Sequence, residues 1–166
     1  MSDFPMLPKR ASSHLVEHTT ESQRLAGRGI QPIDVIERWA LCHHLGCVVK
    51  YLAQAGHKNS SLEQTNLEET RLKNLKKAEW YLQRELIRSP QCPFTPLGAQ
   101  PFTTEAVLDD WGLSFRLSET LFHIKASKSP SMREESLKQA MKHLKDEIKA
   151  YEHLASEHLT SSIGEI

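Results

Sequence analysis

The stretch PIDVIERWALCHHLGCVVKYLAQA, residues 32–55, decides the fold. Its apolar residues return every three or four positions. Ile33, Ile36 and Ala40 lie on one side of a first helix, and Leu45, Val48, Val49, Leu52 and Ala55 run along a second. That period belongs to helices that bury one face. Pro32 suits a first helical position, and Gly56 is a natural helix end. The layout returns at 104–127, TEAVLDDWGLSFRLSETLFHIKAS, which sets Trp111 on Trp39, Leu113 on Leu41 and Leu117 on Leu45.

A third element follows in each half. NLKKAEWYLQREL (74–86) aligns with SLKQAMKHLKDEI (136–148), pairing Leu75 with Leu137, Ala78 with Ala140, Leu82 with Leu144 and Glu85 with Glu147. From tryptophan to the first leucine of this element is 36 residues in the first half and 26 in the second. The difference falls in the polar loop HKNSSLEQTN (57–66), where length costs little, so this loop is expected to be exposed and to tolerate shortening. Asn66 and Glu69 read as a capping box opening a helix that runs to about Arg88, with a core stripe of Leu72, Leu75, Ala78, Leu82 and Leu86. Ser131 and Glu134 read as a second box after Pro130, and Leu137, Met141, Leu144, Ile148, Tyr151 and Ala155 make a packing seam. No strand pattern competes.

The expected fold is therefore all-α: internally duplicated three-helix units forming a pseudo-twofold bundle. The expected organisation is a polar arm at 1–30, a first repeat at 31–89, a proline-rich connector at 90–102, a second repeat at 103–159 and a tail at 160–166.

Bulk properties narrow the function. Of 166 residues, 39% are hydrophobic and 25% charged, and the formal net charge is zero. Overall charge therefore gives no pull toward nucleic acid or a membrane, and nucleic acid is not an expected partner. No apolar run reaches the ~20 residues a bilayer span needs. Three cysteines, Cys42, Cys47 and Cys92, form no paired framework, which points to a reduced, cytoplasmic compartment.

Charge is nevertheless uneven. Residues 71–88 carry six basic side chains (Arg71, Lys73, Lys76, Lys77, Arg84, Arg88) against two acids (Glu79, Glu85), whereas residues 134–152 carry four lysines against five acids. Lys73 and Lys77 share one helix face, and Lys76, Trp80 and Arg84 another. Lys and Arg on a helix usually just face solvent, with their stems over apolar surface, and Trp80 and Tyr81 serve equally well to close the gap between the halves.

GIQPIDVIERWAL, LGCVVKYLAQAGHK and NLKKAEWYLQREL together resemble a small all-helical domain widespread in bacteriophages, long of unknown function, which includes phage proteins described as nucleotide kinases. The likeness covers about residues 29–87, and its more specific parts are K-Y…A-G-x-K and L-K-K-A-x-W-Y-L. Cys47 stands where the family has asparagine, Gln54 where it has arginine, and Asn74 where it usually has an acid. In the second half His123 replaces the tyrosine, Phe122 the lysine, and Lys142-His143 the W-Y pair. The resemblance implies a nucleotide, or another small anion, as ligand. Lys50, Lys58, Lys76 and Lys77 would hold phosphate, and Tyr51, Trp80 and Tyr81 would line the site, the last two able to stack a base at ~1–3 kcal/mol. Asp34 and Glu37 are candidates for a magnesium ion accompanying that nucleotide, although acids in a first turn also serve the helix dipole.

Other chemistries lack their signatures. There is no G-x-x-x-x-G-K-S/T, no E-x-x-E with a second acidic pair, and no nucleophile elbow or triad. Cys42, His43, His44 and Cys47 are ligand types, but neighbours such as His43 and His44 diverge on a helix, whereas zinc needs ligands converging on one point. His14 and His18 lie in the arm. Two readings stand: a nucleotide-binding protein that phosphorylates (deoxy)nucleoside monophosphates, or a non-catalytic helical interaction protein, engaging a protein partner or a second copy, that keeps the frame without the chemistry.

Overall fold

The computed structural model describes residues 29–56, 64–88 and 102–163. Within them the chain is all-α: α1 (Pro32–Arg38), α2 (His43–Gly56), α3 (Gln64–Arg88), α4 (Thr104–Trp111), α5 (Phe115–Ala126) and α6 (Arg133–Ile163). The arm up to residue 28, the loop at 57–63 with Lys58, and most of the connector lie outside the described residues. α6 continues into the stretch assigned to the tail.

The long helices α3 and α6 pack on each other. α2 lies on α3, α5 lies on α6, and α2 meets α5, while the short α1 and α4 pack on α2 and α5 respectively. The leucine stripes explain this order. Leu45, Val48, Val49 and Leu52 of α2, Leu75, Ala78 and Leu82 of α3, Leu121 and Ile124 of α5, and Leu137, Ala140 and Leu144 of α6 join one buried cluster. A side chain such as Leu82 or Leu144 gains about 1.5–3 kcal/mol by leaving water there.

Three local readings need correction. α3 starts at Gln64, two residues before the expected cap, so Asn66 lies inside the helix. α6 starts at Arg133: Ser136 N–H donates to the Met132 carbonyl at 2.9 Å as the first helical bond, and the Ser131 hydroxyl meets Ser129 at 3.1 Å instead of capping. In α1 Ile33 is exposed, while Ile36 packs half-buried against the core and Ala40 is buried, as are Pro32, Val35 and Trp39. The seam of α6 likewise ends at half-buried Tyr151, with Ala155 exposed.

Positions aligned by W-x-L occupy matched places. Trp39 and Trp111 are both buried. The Trp39 indole N–H donates to the Phe102 carbonyl at 2.9 Å, and the Trp111 indole N–H to the Ile30 carbonyl at 2.8 Å. Ile30 and Phe102 each stand two residues before a helix, α1 and α4, so each half completes the entrance to the other's first helix. The Asp110 carboxylate adds bonds from the Gly29 and Ile30 amides at 3.2 and 3.0 Å. Arg38, the residue before the other tryptophan, lies 4.0 Å over the Phe102 ring. Ala40 and Gly112, one residue past each tryptophan, both adopt the left-handed conformation, with φ of 49° and 57°.

Candidate functional site: an aromatic and cationic face on α2 and α3

α2 and α3 lie side by side, and their outward faces bring Tyr51 against Tyr81. The rings stack with centroids 5.9 Å apart and planes 21° from parallel. Lys50 Nζ and Lys77 Nζ, one from each helix, lie 5.1 and 5.4 Å from the Tyr51 ring. A cation within about 6 Å of a ring face is attracted by its quadrupole, so Tyr51 attracts one ammonium group from each helix without neutralising either. Trp80 meets Tyr81 edge-on at 4.9 Å, is more than half exposed, and carries Arg84 4.8 Å above its ring. His43 and His44 border Tyr81 at 6.1 and 6.2 Å.

Beside this face lies a pocket of about 180 Å³, lined by Ile36, Leu41, Cys42, His43, Gly46, Cys47 and Lys50. Sites that enclose a drug-sized ligand run from roughly 300 Å³, so this one is too small to enclose a nucleotide, most of which would lie on the open aromatic face. Within it Cys47 Sγ lies 3.8 Å from His43 Nε2. The Cys47 sulfur foremost, then burial and Tyr51, push the Tyr81 phenol above its ordinary pKa, against the opposing charge of Lys50.

The expected site residues divide. Lys50, Tyr51, Lys77 and Tyr81 come together, with Trp80 at the rim. Lys76 turns away to α6, where it pairs with Glu152 at 2.7 Å. Asp34 accepts the Gln31 amide at 3.3 Å at the start of α1, and Glu37 lies exposed on that helix. The four ligand-type residues of CHHLGC split into two pairs and do not converge on one point. Cys42 Sγ donates to Glu85 at 3.3 Å, His44 Nδ1 lies 3.0 Å from the same carboxylate, and His43 faces Cys47.

Glu85 was not singled out as special by its sequence, yet it is nearly fully buried and is also bonded by Arg133 of α6. The aligned Glu147 is buried too, taking the Ser114 hydroxyl at 2.6 Å and Arg116 at 3.4 Å. Cys42 aligns with Ser114 and His44 with Arg116, so each carboxylate receives one small donor and one basic group from matched positions. The available signal was a glutamate recurring inside an otherwise apolar stripe.

A further cluster went unread: Glu119, His123 and His143, whose ligand atoms all lie within 4.8 Å of one another. The sequence signal was the replacement of both tyrosines, at the aligned positions, by histidine.

Comparison with known proteins bears only on the first half of the chain. Residues 26–83 match the model of a family described only as a protein of unknown function, DUF3310. The match takes in α1, α2 and most of α3, and with them Lys50, Tyr51, Lys77, Trp80 and Tyr81. No curated protein and no solved structure matches the chain. Among the described residues no helix is long and apolar enough to cross a membrane.

Proposed function

We propose that the α2–α3 face binds a nucleotide, with its phosphates at Lys50 and Lys77 and its base against Trp80 or the Tyr81 edge. The observation that carries this reading is the approach of two cations, from two different helices, to one stacked tyrosine pair beside a small pocket. Phosphate binding needs positive charge left unneutralised, and base binding needs an open π-face; this face offers both. The phage resemblance implies the same ligand class, and by extension phosphoryl transfer to a (deoxy)nucleoside monophosphate. Such transfer relies mainly on positioning and charge neutralisation, roles that suit Lys50 and Lys77, with magnesium entering alongside the nucleotide. The matched tryptophan and glutamate contacts support an internal duplication in which only the first copy keeps this face.

The alternative, a non-catalytic interaction protein, is favoured by Phe115 and Phe122 of α5, which are 76% and 50% exposed where the first half has His43 and Lys50. A thermal-shift screen of nucleoside mono-, di- and triphosphates with and without magnesium separates the two, since a ligand of the native state raises the melting temperature. A rise of several degrees with one nucleotide class is expected. The absence of any shift moves the balance to the interaction reading.

A further inference from the structure

The place in the second half that corresponds to the tyrosine stack holds different chemistry. His123 aligns with Tyr51, His143 with Tyr81 and Glu119 with Cys47. The stacked geometry survives the exchange: the His123 and His143 rings lie 5.7 Å apart and 12° from parallel. Glu119 and His123 are one helical turn apart on α5, so their side chains share a face, and His143 approaches from α6. We propose that Glu119, His123 and His143 form a binding site for a single transition-metal ion of the Zn2+ class, bridging α5 and α6.

The geometry has what such a site requires. Ligands 2.0–2.2 Å from a tetrahedral zinc ion stand about 3.4 Å apart. The three ligand atoms, already within 4.8 Å of one another, reach that spacing by small side-chain rotations. All three residues are half-buried, so they retain freedom to rotate and a path for the ion. Two imidazoles and one carboxylate favour zinc and its neighbours over magnesium or calcium, which prefer all-oxygen shells. Three protein ligands leave a fourth position for water. Glu135, held by Gln139 Nε2 at 2.8 Å, stands on the same helix, α6, as His143. Nothing in this proposal depends on nucleotide binding at the other face.

The test uses the full chain without a polyhistidine tag, stripped with EDTA. It is titrated with Zn2+ by calorimetry and with Co2+ by visible absorption. One ion per chain is expected, with weak d–d bands and no thiolate charge-transfer band. His123→Gln and His143→Gln should each weaken binding at least ~10-fold, whereas Cys47→Ser should leave it unchanged. Ring 1H–15N spectra of the unaltered chain give a reading independent of any substitution: the His123 and His143 signals should shift on adding Zn2+. The proposal is overturned if no zinc binds, if both histidine variants bind as tightly as the parent, if Cys47→Ser abolishes binding, or if those two ring signals stay still.

Discussion

The Trp39 indole and the Phe102 carbonyl are bonded across 63 residues of chain, and Trp111 makes the mirrored bond to Ile30. The two bonds differ at their acceptors. Phe102 O also accepts Lys125 Nζ at 3.0 Å, so it keeps a donor if the indole N–H is removed. Trp39→Phe should therefore be less harmful than Trp111→Phe by up to about 1 kcal/mol, the cost of leaving the half-buried Ile30 carbonyl poorly served. Urea unfolding of the two variants checks the order, and equal losses would count against it.

The left-handed pair gives a second expectation. A Cβ at Gly112 meets nothing within 4 Å, so Gly112→Ala should lose about 1–2 kcal/mol from backbone conformation alone. Ala40→Gly relieves the same strain but uncovers a buried methyl worth ~0.8 kcal/mol, so it should be near neutral. Thermal melts of both variants read the contrast.

Glu85 and Glu147 should separate by the exposure of their partners. Glu85→Gln leaves the mostly buried Arg133 without its counter-charge, and about 3 kcal/mol should be lost, the lower end for breaking a buried pair. Arg116, beside Glu147, is 47% exposed and stays solvated, so Glu147→Gln should cost nearer ~1 kcal/mol. Chemical denaturation decides, and a larger loss at Glu147 would contradict the argument.

Stability should also depend on His123. Burial first, and then the neighbouring His143, hold its pKa below the ordinary value of 6.5, against the opposing pull of Glu119 and Glu135. The unfolded chain then binds this proton more readily than the folded one, so stability rises with pH. The contribution is complete above about pH 6.5 and declines as pH falls through that value toward the lowered one. In EDTA-containing buffer, His123→Gln should flatten the stability curve on the acidic side; an unchanged curve would remove His123 as its source.

At the α2–α3 face, Lys77→Ala and Lys50→Ala should each reduce the nucleotide-induced thermal shift, while Lys76→Ala, which loses only its exposed pair with Glu152, should keep it. All three should leave the unliganded melting point nearly unchanged, since surface substitutions usually stay within about ±0.5 kcal/mol.

The helices were legible because burial has a period: the stripes from Leu45 to Ala55 and from Leu75 to Leu86 reach the core or its edge as read. Helix starts were less legible. Asn66 and Ser131 have good capping chemistry, but the chain enters α3 and α6 at other residues, and helix ends shift easily by a residue or two. The site was half legible for a related reason. Spacing placed Lys76 and Lys77 on different faces, but only the packing of α3 between α2 and α6 shows that Lys77 meets Tyr51 and Lys76 meets Glu152. Buried Glu85 was obscured because its partners come from two distant stretches, Cys42 and His44 on one side and Arg133 on the other.

The mirrored tryptophan bonds have a consequence for how the chain can be divided. Each half lends the other the donor that anchors the entrance to its first helix, so neither is self-sufficient, and the chain should behave as one cooperative folding unit. The contacts that bind the halves, α3 on α6 and α2 on α5, do not require a continuous backbone between residues 89 and 101. Two polypeptides cut there and mixed should find each other and reassemble, while either one alone should stay unfolded.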